Sequence, residues 1–171
     1  MIFWIVGLSG SGKTTLASSL YKNLVSMQPN TIWLDGDNFR KFVDNKAGYS
    51  VKERKKLFEK TYSFIKFCYS QNLNVIVSIL RFDKNIEKKN RKNFKNYYQI
   101  HLNSNIQTLI KRDSKGIYSN ALKKRKPNLV GYDIKWNSNL NSHMNIKDFF
   151  NLKKTDVNKI TKKILKNVKS K

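Results

Sequence analysis

The chain has one cysteine, few acidic residues and no long apolar run. Cys68 has no second cysteine for an internal disulfide, and its apolar, helical surroundings favour a buried thiol in a cytoplasmic protein. No apolar run approaches the length that spans a bilayer, so a membrane is not expected among the partners. The first apolar run begins at residue 2, and a signal peptide is therefore not expected either.

Acidic side chains number 11 against 35 Lys and Arg, which gives a formal charge of +24 at pH 7. A charge of this sign raises a nucleic-acid-binding module as an alternative function. The lysines, however, are scattered among asparagines and do not form one basic stripe interleaved with aromatic residues. Nucleic acid is thus not expected as the main partner, although the positive field would attract a polyanionic nucleotide.

A glycine-rich segment over residues 7–14 (GLSGSGKT) follows the apolar run 2–6 and precedes an amphipathic stretch over 14–25. This order predicts a strand, a phosphate-binding loop and a helix, in which backbone N–H groups bind the phosphates of a nucleotide. Lys13 would reach the β- and γ-phosphates, and the Thr14 hydroxyl would ligate Mg²⁺. The predicted ATP-binding positions of the loop are Ser9, Gly10, Ser11, Gly12, Lys13, Thr14 and Thr15.

The remaining chain alternates apolar and amphipathic segments. Strands are predicted over 30–35, 74–80 and 97–102, and helices over 50–71, 84–94, 105–112 and 155–168. Ser50 and Glu53 have the spacing of a capping box at the start of the first of these helices. The last helix would place one apolar stripe against the sheet, formed by Val157, Ile160, Ile164 and Val168. This alternation predicts an α/β fold of the P-loop NTPase type, with a mainly parallel sheet flanked by helices, in a single domain over residues 1–171. Residues 138–150 fit only a general strand-and-loop assignment.

Two carboxylates, Asp35 and Asp37, follow the second predicted strand. Ligands of open parallel sheets bind at the carboxyl ends of the strands, so these side chains should lie beside the phosphate loop. One can accept the proton of an attacking hydroxyl, while the other helps to hold Mg²⁺, in the case of Asp35 through water. The alternative is a simple aspartate–glycine turn that ends the strand.

Basic side chains farther along the chain are candidates for phosphate contacts. Arg40 and Arg54 could clamp an acceptor phosphate, or they could be ordinary surface residues. Residues 113–131 form a basic segment that could be a mobile lid excluding water from the phosphates, or a solvated lysine-rich loop. A signalling GTPase would need an Asn-Lys-x-Asp pattern, and residues 45–48 lack its aspartate.

These motifs together resemble the adenylylsulfate (APS) kinases. The resemblance covers about residues 2–133 and rests on GLSGSGKTT (7–15), LDGDNFR (34–40), GYS (48–50) with the later Arg54, and RDSKGIYSNAL (112–122) with the later Gly131. It implies ATP-dependent phosphorylation of the ribose 3′-hydroxyl of an activated nucleotide, with Mg²⁺, and a homodimer as one possible assembly. The implied acceptor contacts are Asp37, Arg40, Tyr49 and Arg54, with Lys115 in the lid and Arg112 near the ATP base and phosphates.

The departures from the APS kinase pattern bear on the acceptor. Leu57 stands where that family has asparagine, Arg81 and Phe82 replace a Ser-Pro pair, and residues 129–131 read Leu-Val-Gly instead of Phe-Thr-Gly. Tyr49 would keep one aromatic wall of the base slot, whereas Leu129, beside Gly131, would make the opposite wall aliphatic. Such a slot loses stacking surface worth about 1–3 kcal/mol, and Arg81 would change a contact near the acceptor's terminal group.

The remodelled slot therefore favours an acceptor other than an adenine nucleotide. A branch that the chain resembles is the cytidine diphosphoramidate kinases, which serve the phosphoramidate decoration of bacterial capsular polysaccharide. We expect cytidine diphosphoramidate as the acceptor, with adenylylsulfate as the alternative.

Overall fold

The computed structural model describes residues 1–43, 50–80, 83–113, 116–123, 128–136 and 139–169. The strands are β1 (Ile2–Gly7), β2 (Thr31–Asp35), β3 (Asn74–Ser78), β4 (Tyr97–Asn103) and β5 (Met144–Lys147). The helices are α1 (Lys13–Val25), α2 (Gly36–Val43), α3 (Val51–Ser70), α4 (Lys84–Asn93), α5 (Ile106–Arg112), α6 (Ile117–Leu122) and α7 (Lys154–Lys169), with a 3₁₀ turn at Phe149–Asn151.

The five strands form one sheet in the order β2-β3-β1-β4-β5, and every pairing is parallel. The predicted parallel α/β fold with flanking helices is therefore confirmed. Because all strands point the same way, their carboxyl ends meet at one edge of the sheet, where the phosphate loop leaves β1 and α2 follows β2. Among the described residues, no helix is both long and apolar enough to cross a membrane.

The core lies on both faces of the sheet because successive side chains of a strand point to opposite sides. On one face Trp4 packs with Tyr62 and Ile65 of α3, and Cys68 is buried there as predicted. On the other face a second cluster joins β1 to α1 and α7. The buried α7 positions lie on the stripe that the sequence predicted, so the last helix covers the sheet.

The helix α3 begins at the predicted capping box. The Ser50 backbone N–H donates to the Glu53 carboxylate at 3.1 Å, and the Glu53 backbone N–H donates to Ser50 Oγ at 3.3 Å. Two amide donors that a helix start leaves without an intrahelical partner are thereby satisfied. The N-cap therefore lies at Ser50, where the spacing of the capping box predicted the start of the helix.

Three elements differ from the sequence prediction. Strand β3 ends at Ser78 instead of residue 80. The residues after Asp35 form α2, and residues 117–122 of the predicted lid form α6, two helices that the sequence did not predict. The backbone N–H groups of Asp37 and Asn38 donate to Asp35 Oδ1 at 3.1 and 3.4 Å, so a strand residue caps the helix. Phe39 is the one buried side chain of α2, which explains why no apolar periodicity marked this helix.

The region over residues 138–150 contains β5, an edge strand paired with β4, and it leads into the 3₁₀ turn. This agrees with the strand-and-loop assignment. Partly buried and exposed residues alternate along β5, but the strand has only four residues. An alternation this short is not enough to locate a strand from the sequence.

Candidate active site

The phosphate loop lies between β1 and α1 and depends on glycine backbone geometry. Gly10 and Gly12 adopt φ values of 77° and 96°, in the left-handed region that favours glycine. A Cβ atom on Gly12 would lie 2.6 Å from the Phe149 ring, so no larger residue fits there without movement. The loop also leads directly into the N-terminus of α1, where amide groups and the helix dipole favour anions.

The Lys13 side chain folds over this loop. Its Nζ donates hydrogen bonds to the Gly7 carbonyl at 2.9 Å and the Leu8 carbonyl at 2.8 Å. The ammonium group is therefore held at the mouth of the loop, with its position set by backbone atoms. A positive charge at this point can stabilise phosphate oxygens.

The Asp35 carboxylate accepts four hydrogen bonds beside the phosphate loop. The Thr14 hydroxyl donates to Asp35 Oδ2 at 2.9 Å, and the Ser78 hydroxyl donates to the same oxygen at 3.2 Å. The other carboxylate oxygen caps α2, as described above. Sequence analysis missed Ser78, since a serine at the end of an apolar strand carries no recognisable motif.

Asp37 follows Asp35 by two positions, in the first turn of α2, and its side chain is exposed. Among the described residues no hydrogen-bond donor reaches its carboxylate. The two aspartates thus differ in kind, because Asp35 is held by four donors while Asp37 can accept a proton or a hydrogen bond from a ligand.

One cleft of about 850 Å³ brings most of the predicted residues together. Its described lining includes the predicted positions Ser9, Gly10, Gly12, Lys13, Thr14, Thr15, Asp35, Asp37, Arg40, Arg54 and Arg112. Ser11, the remaining loop position, is fully buried beneath the loop and is not part of the lining. The volume suits a nucleotide and a second small ligand.

Leu129 and Gly131 are placed differently from the prediction of an acceptor wall. Leu129 is 5% exposed and packs with Leu8, Leu109 and Tyr118 in a small core that joins residues of the predicted lid to the phosphate loop and α5. Gly131 has φ of 93°, and a Cβ atom there would lie 2.9 Å from a Leu8 methyl group. Neither residue is in the described lining of the cleft, because both close this small core.

Arg54 links the cleft to the end of the lid. Its Nη2 donates to the Asn128 carbonyl at 3.0 Å, across 74 residues of sequence. The guanidinium still lines the cleft beside Leu57 and Phe58. A single arginine therefore contacts the lid backbone and the space where an acceptor would bind.

Arg112 lines the cleft together with Phe149 and Phe150, two aromatic residues that sequence analysis missed. The Arg112 guanidinium carbon lies 5.0 Å from the centre of the Phe150 ring, and Nη1 donates to the Phe150 carbonyl at 3.2 Å. Phe149, Phe150 and Leu152 also line the cleft. A flat apolar surface beside a guanidinium suits a nucleotide base; the adjacent phenylalanines were the available signal.

Helix α6, which lies in the predicted lid, is hydrogen-bonded both to the phosphate loop and to the end of α5. The Tyr118 hydroxyl donates to the Ser9 carbonyl at 2.7 Å, and burial raises the pKa of this phenol to about 12, with the Asp113 charge adding to the rise. Asp113 accepts the backbone N–H groups of Tyr118 and Ser119 at 2.9 and 2.8 Å. Hydrogen bonds from Ser119, then from Tyr118, lower the pKa of the Asp113 carboxyl.

Three predicted positions, Tyr49, Arg81 and Lys115, lie outside the described residues. The same holds for residues 114–115 and 124–127 of the predicted lid.

The chain is similar to a known protein family and to several known proteins. Residues 1–147 match the family model described as adenylylsulphate kinase. A protein of Campylobacter jejuni subsp. jejuni serotype O:2 named cytidine diphosphoramidate kinase is 41% identical over 135 residues, which cover 79% of each chain. A probable adenylyl-sulfate kinase of Archaeoglobus fulgidus is 33% identical over 132 residues, covering 77% of this chain and 85% of that protein.

The fold is shared with a solved structure of the Mycobacterium tuberculosis APS kinase in complex with AMPPNP and APS. The TM-score is 0.80 at 19% identity, with 99% of this chain and 97% of that chain covered. The predicted P-loop kinase fold and the predicted resemblance are thus both confirmed. With a family model that spans most of its length, the chain belongs to the adenylylsulphate kinase family.

Proposed function

We propose that this protein is an ATP-dependent kinase that phosphorylates the ribose 3′-hydroxyl of cytidine diphosphoramidate. Adenylylsulfate is the second candidate acceptor, because relatives with that name also match the chain. One observation carries the proposal: a single cleft joins the phosphate loop, the Thr14–Asp35 contact and the exposed Asp37 carboxylate. The preference for the cytidine nucleotide is supported by the 41% identity to the protein of that name.

The nucleotide half of the cleft fits ATP. Loop amides and Lys13 would bind the β- and γ-phosphates, and Arg112 with Phe150 would hold the adenine. The donor set beside them consists of a hydroxyl and a carboxylate, oxygen ligands of the kind that Mg²⁺ prefers alongside phosphates. Thr14 would ligate the ion and Asp35 would hold its water, and Mg²⁺ would neutralise charge on the phosphates.

The acceptor half would prepare the ribose hydroxyl. We assign Asp37 as the group that accepts the hydroxyl proton, because four donors already hold the Asp35 carboxylate. Arg40 and Arg54 would bind acceptor phosphates, and Tyr49, Arg81 and Lys115 remain proposed contacts. Phosphoryl transfer depends mostly on positioning and charge stabilisation, so the base need not be strong.

The lid would close over the bound phosphates and keep water from the transferring group. We also propose a cytoplasmic location, which is supported by the need for ATP and by the buried, free thiol of Cys68. The homodimer implied by the family remains a prediction that sedimentation equilibrium would test.

The test is ADP release measured with the two acceptors at equal concentration. We expect the higher kcat/KM with cytidine diphosphoramidate. A higher value with adenylylsulfate would reverse the order of the two acceptors. Release with neither acceptor, together with salt-dependent retention of DNA or RNA, would instead indicate a nucleic-acid-binding protein.

A further inference from the structure

We propose that Trp33 and Ser78 are positioning residues for the Asp35 carboxylate. Through Asp35 they would orient the Thr14 hydroxyl and determine how strongly Mg²⁺ enhances nucleotide binding. The proposal rests on the proposed function, since that function assigns Thr14 and Asp35 to the magnesium-bound nucleotide.

The sheet brings these side chains to one place. Asp35 of β2 and Ser78 of β3 are directly paired, and Trp33 precedes Asp35 by two residues on the same face of β2. That face packs against α1, where the Tyr21 ring lies 6.3 Å from the indole. Ser78 is 3% exposed, so its hydroxyl depends on protein partners more than on solvent.

Hydrogen bonds run from Trp33 to Ser78 and from Ser78 to Asp35, and the direction of donation is fixed at each step. The indole N–H of Trp33, which can only donate, donates to Ser78 Oγ at 2.9 Å. The single Ser78 hydroxyl proton is then directed to Asp35 Oδ2 at 3.2 Å. The Thr14 hydroxyl donates to that same oxygen at 2.9 Å.

This direction matters for a hydroxyl that ligates a metal. If the Thr14 hydroxyl oxygen is to ligate a cation, its lone pairs must face the cation and its proton must point away from it. Asp35 Oδ2 accepts that proton. The backbone N–H groups of α2 hold only the other oxygen, so Ser78 is the donor that keeps Asp35 Oδ2 in place when the Thr14 hydroxyl turns. Without the Trp33 donor, the Ser78 proton could turn away from Asp35.

The test compares ADP binding with Mg²⁺ and with EDTA, by calorimetry, in Ser78→Ala, Trp33→Phe and the double variant. Residues that orient metal ligands typically contribute about 10–100-fold to metal affinity. For this more remote pair we expect the gain in ADP affinity from Mg²⁺ to fall about 3–10-fold, with binding in EDTA changed less than about twofold. The double variant should match Ser78→Ala, because Trp33 acts through Ser78.

The matched control is Ser26→Ala, which removes an exposed hydroxyl at the end of α1 and should keep the full gain from Mg²⁺. Equal losses with and without Mg²⁺ would indicate a merely structural role and overturn the proposal, as would additive effects in the double variant. If the wild type gains from Mg²⁺ and every variant keeps that gain, this inference fails and the proposed function stands. A wild type that binds no ADP, or gains nothing from Mg²⁺, overturns both.

A second measurement covers the case in which Ser78→Ala does not fold. The chain has three tryptophans, so its proton–nitrogen NMR spectrum should contain three indole signals, and loss in Trp33→Phe assigns one to Trp33. We expect this signal to shift when Mg²⁺ is added to the ADP complex. An unchanged Trp33 signal would contradict the coupling.

Discussion

Lys13 carries a positive charge at the phosphate loop, the place proposed for the transferring phosphoryl group. Its removal in Lys13→Ala should lower kcat by about 100-fold or more, because charge stabilisation at such a centre is worth at least that much. The fold should be retained, since Lys13 is partly exposed and its hydrogen bonds to Gly7 and Leu8 go to carbonyls of the phosphate loop and not to the core.

The measurement is acceptor-dependent ADP release, with circular dichroism as the check of folding. Lys22→Ala is the control, because Lys22 is an exposed lysine in the last turn of the same helix. Wild-type turnover by folded Lys13→Ala would exclude the phosphate-loop mechanism.

Gly12 is a second residue of the phosphate loop at which a substitution has a predictable effect, because both its backbone conformation and its surroundings exclude a side chain. Gly12→Ala places a methyl group in a left-handed backbone conformation and 2.6 Å from the Phe149 ring. We expect the free energy of unfolding to fall by roughly 1–3 kcal/mol from backbone strain and overpacking. Urea denaturation measures this, and Gly36→Ala, where the nearest atom would be 3.3 Å away, should cost less.

At the scale of elements, helix α6 is held to the phosphate loop by one side-chain hydrogen bond, from Tyr118 to Ser9. Tyr118→Phe keeps the ring in the small core but removes the hydroxyl that donates to Ser9. The expected loss in unfolding free energy is about 0.5–1.5 kcal/mol. Amide hydrogen exchange in α6 should accelerate, whereas Tyr132→Phe, at an exposed tyrosine, should leave it unchanged.

The same phenol predicts a response to alkaline pH. Its pKa is about 12 in the folded protein against an ordinary value near 10, so the folded state favours the protonated form. The resulting stabilisation is complete below pH 10 and is lost as the pH rises from 10 to 12. The urea midpoint of the wild type should therefore fall more steeply over this range than that of Tyr118→Phe. Parallel slopes for the two proteins would contradict this assignment.

At the scale of the whole molecule, the charge balance sets the response to salt. The described residues contain two ion pairs, Glu87 with Arg91 and Asp156 with Lys159, against a formal charge of +24 for the chain. Like-charge repulsion then opposes the compact state, and salt screens it over a Debye length of about 10 Å at 0.1 M.

Raising NaCl from low to moderate concentration should therefore increase Tm, by about 2–4 °C for each 1 kcal/mol gained. Differential scanning calorimetry without nucleotide measures this. A Tm that falls with added NaCl would show that attractive surface pairs outweigh the repulsion.

Sequence reasoning succeeded where the signal is local. The phosphate loop, the capping box of α3 and the apolar run of β1 each lie within a few neighbouring residues, and each formed as predicted. The helix α2 was missed because Asp35, the residue that caps it, was interpreted as a functional carboxylate or as part of a turn, and not as a helix cap. Leu129 was assigned to the cleft by analogy, whereas packing against Leu8 and Tyr118 buries it.

The sequence by itself determined the parallel α/β fold, the family and the edge of the sheet at which the ligands would bind, because the alternation of apolar and amphipathic segments and the motif of the phosphate loop can be read from short segments. Only the tertiary structure decided which distant residues meet. Tyr118 reaches Ser9 across 109 positions, Arg54 reaches Asn128, and Trp33 reaches Asp35 through Ser78. Such contacts depend on strand pairing and helix packing, which bring together side chains that no local pattern links.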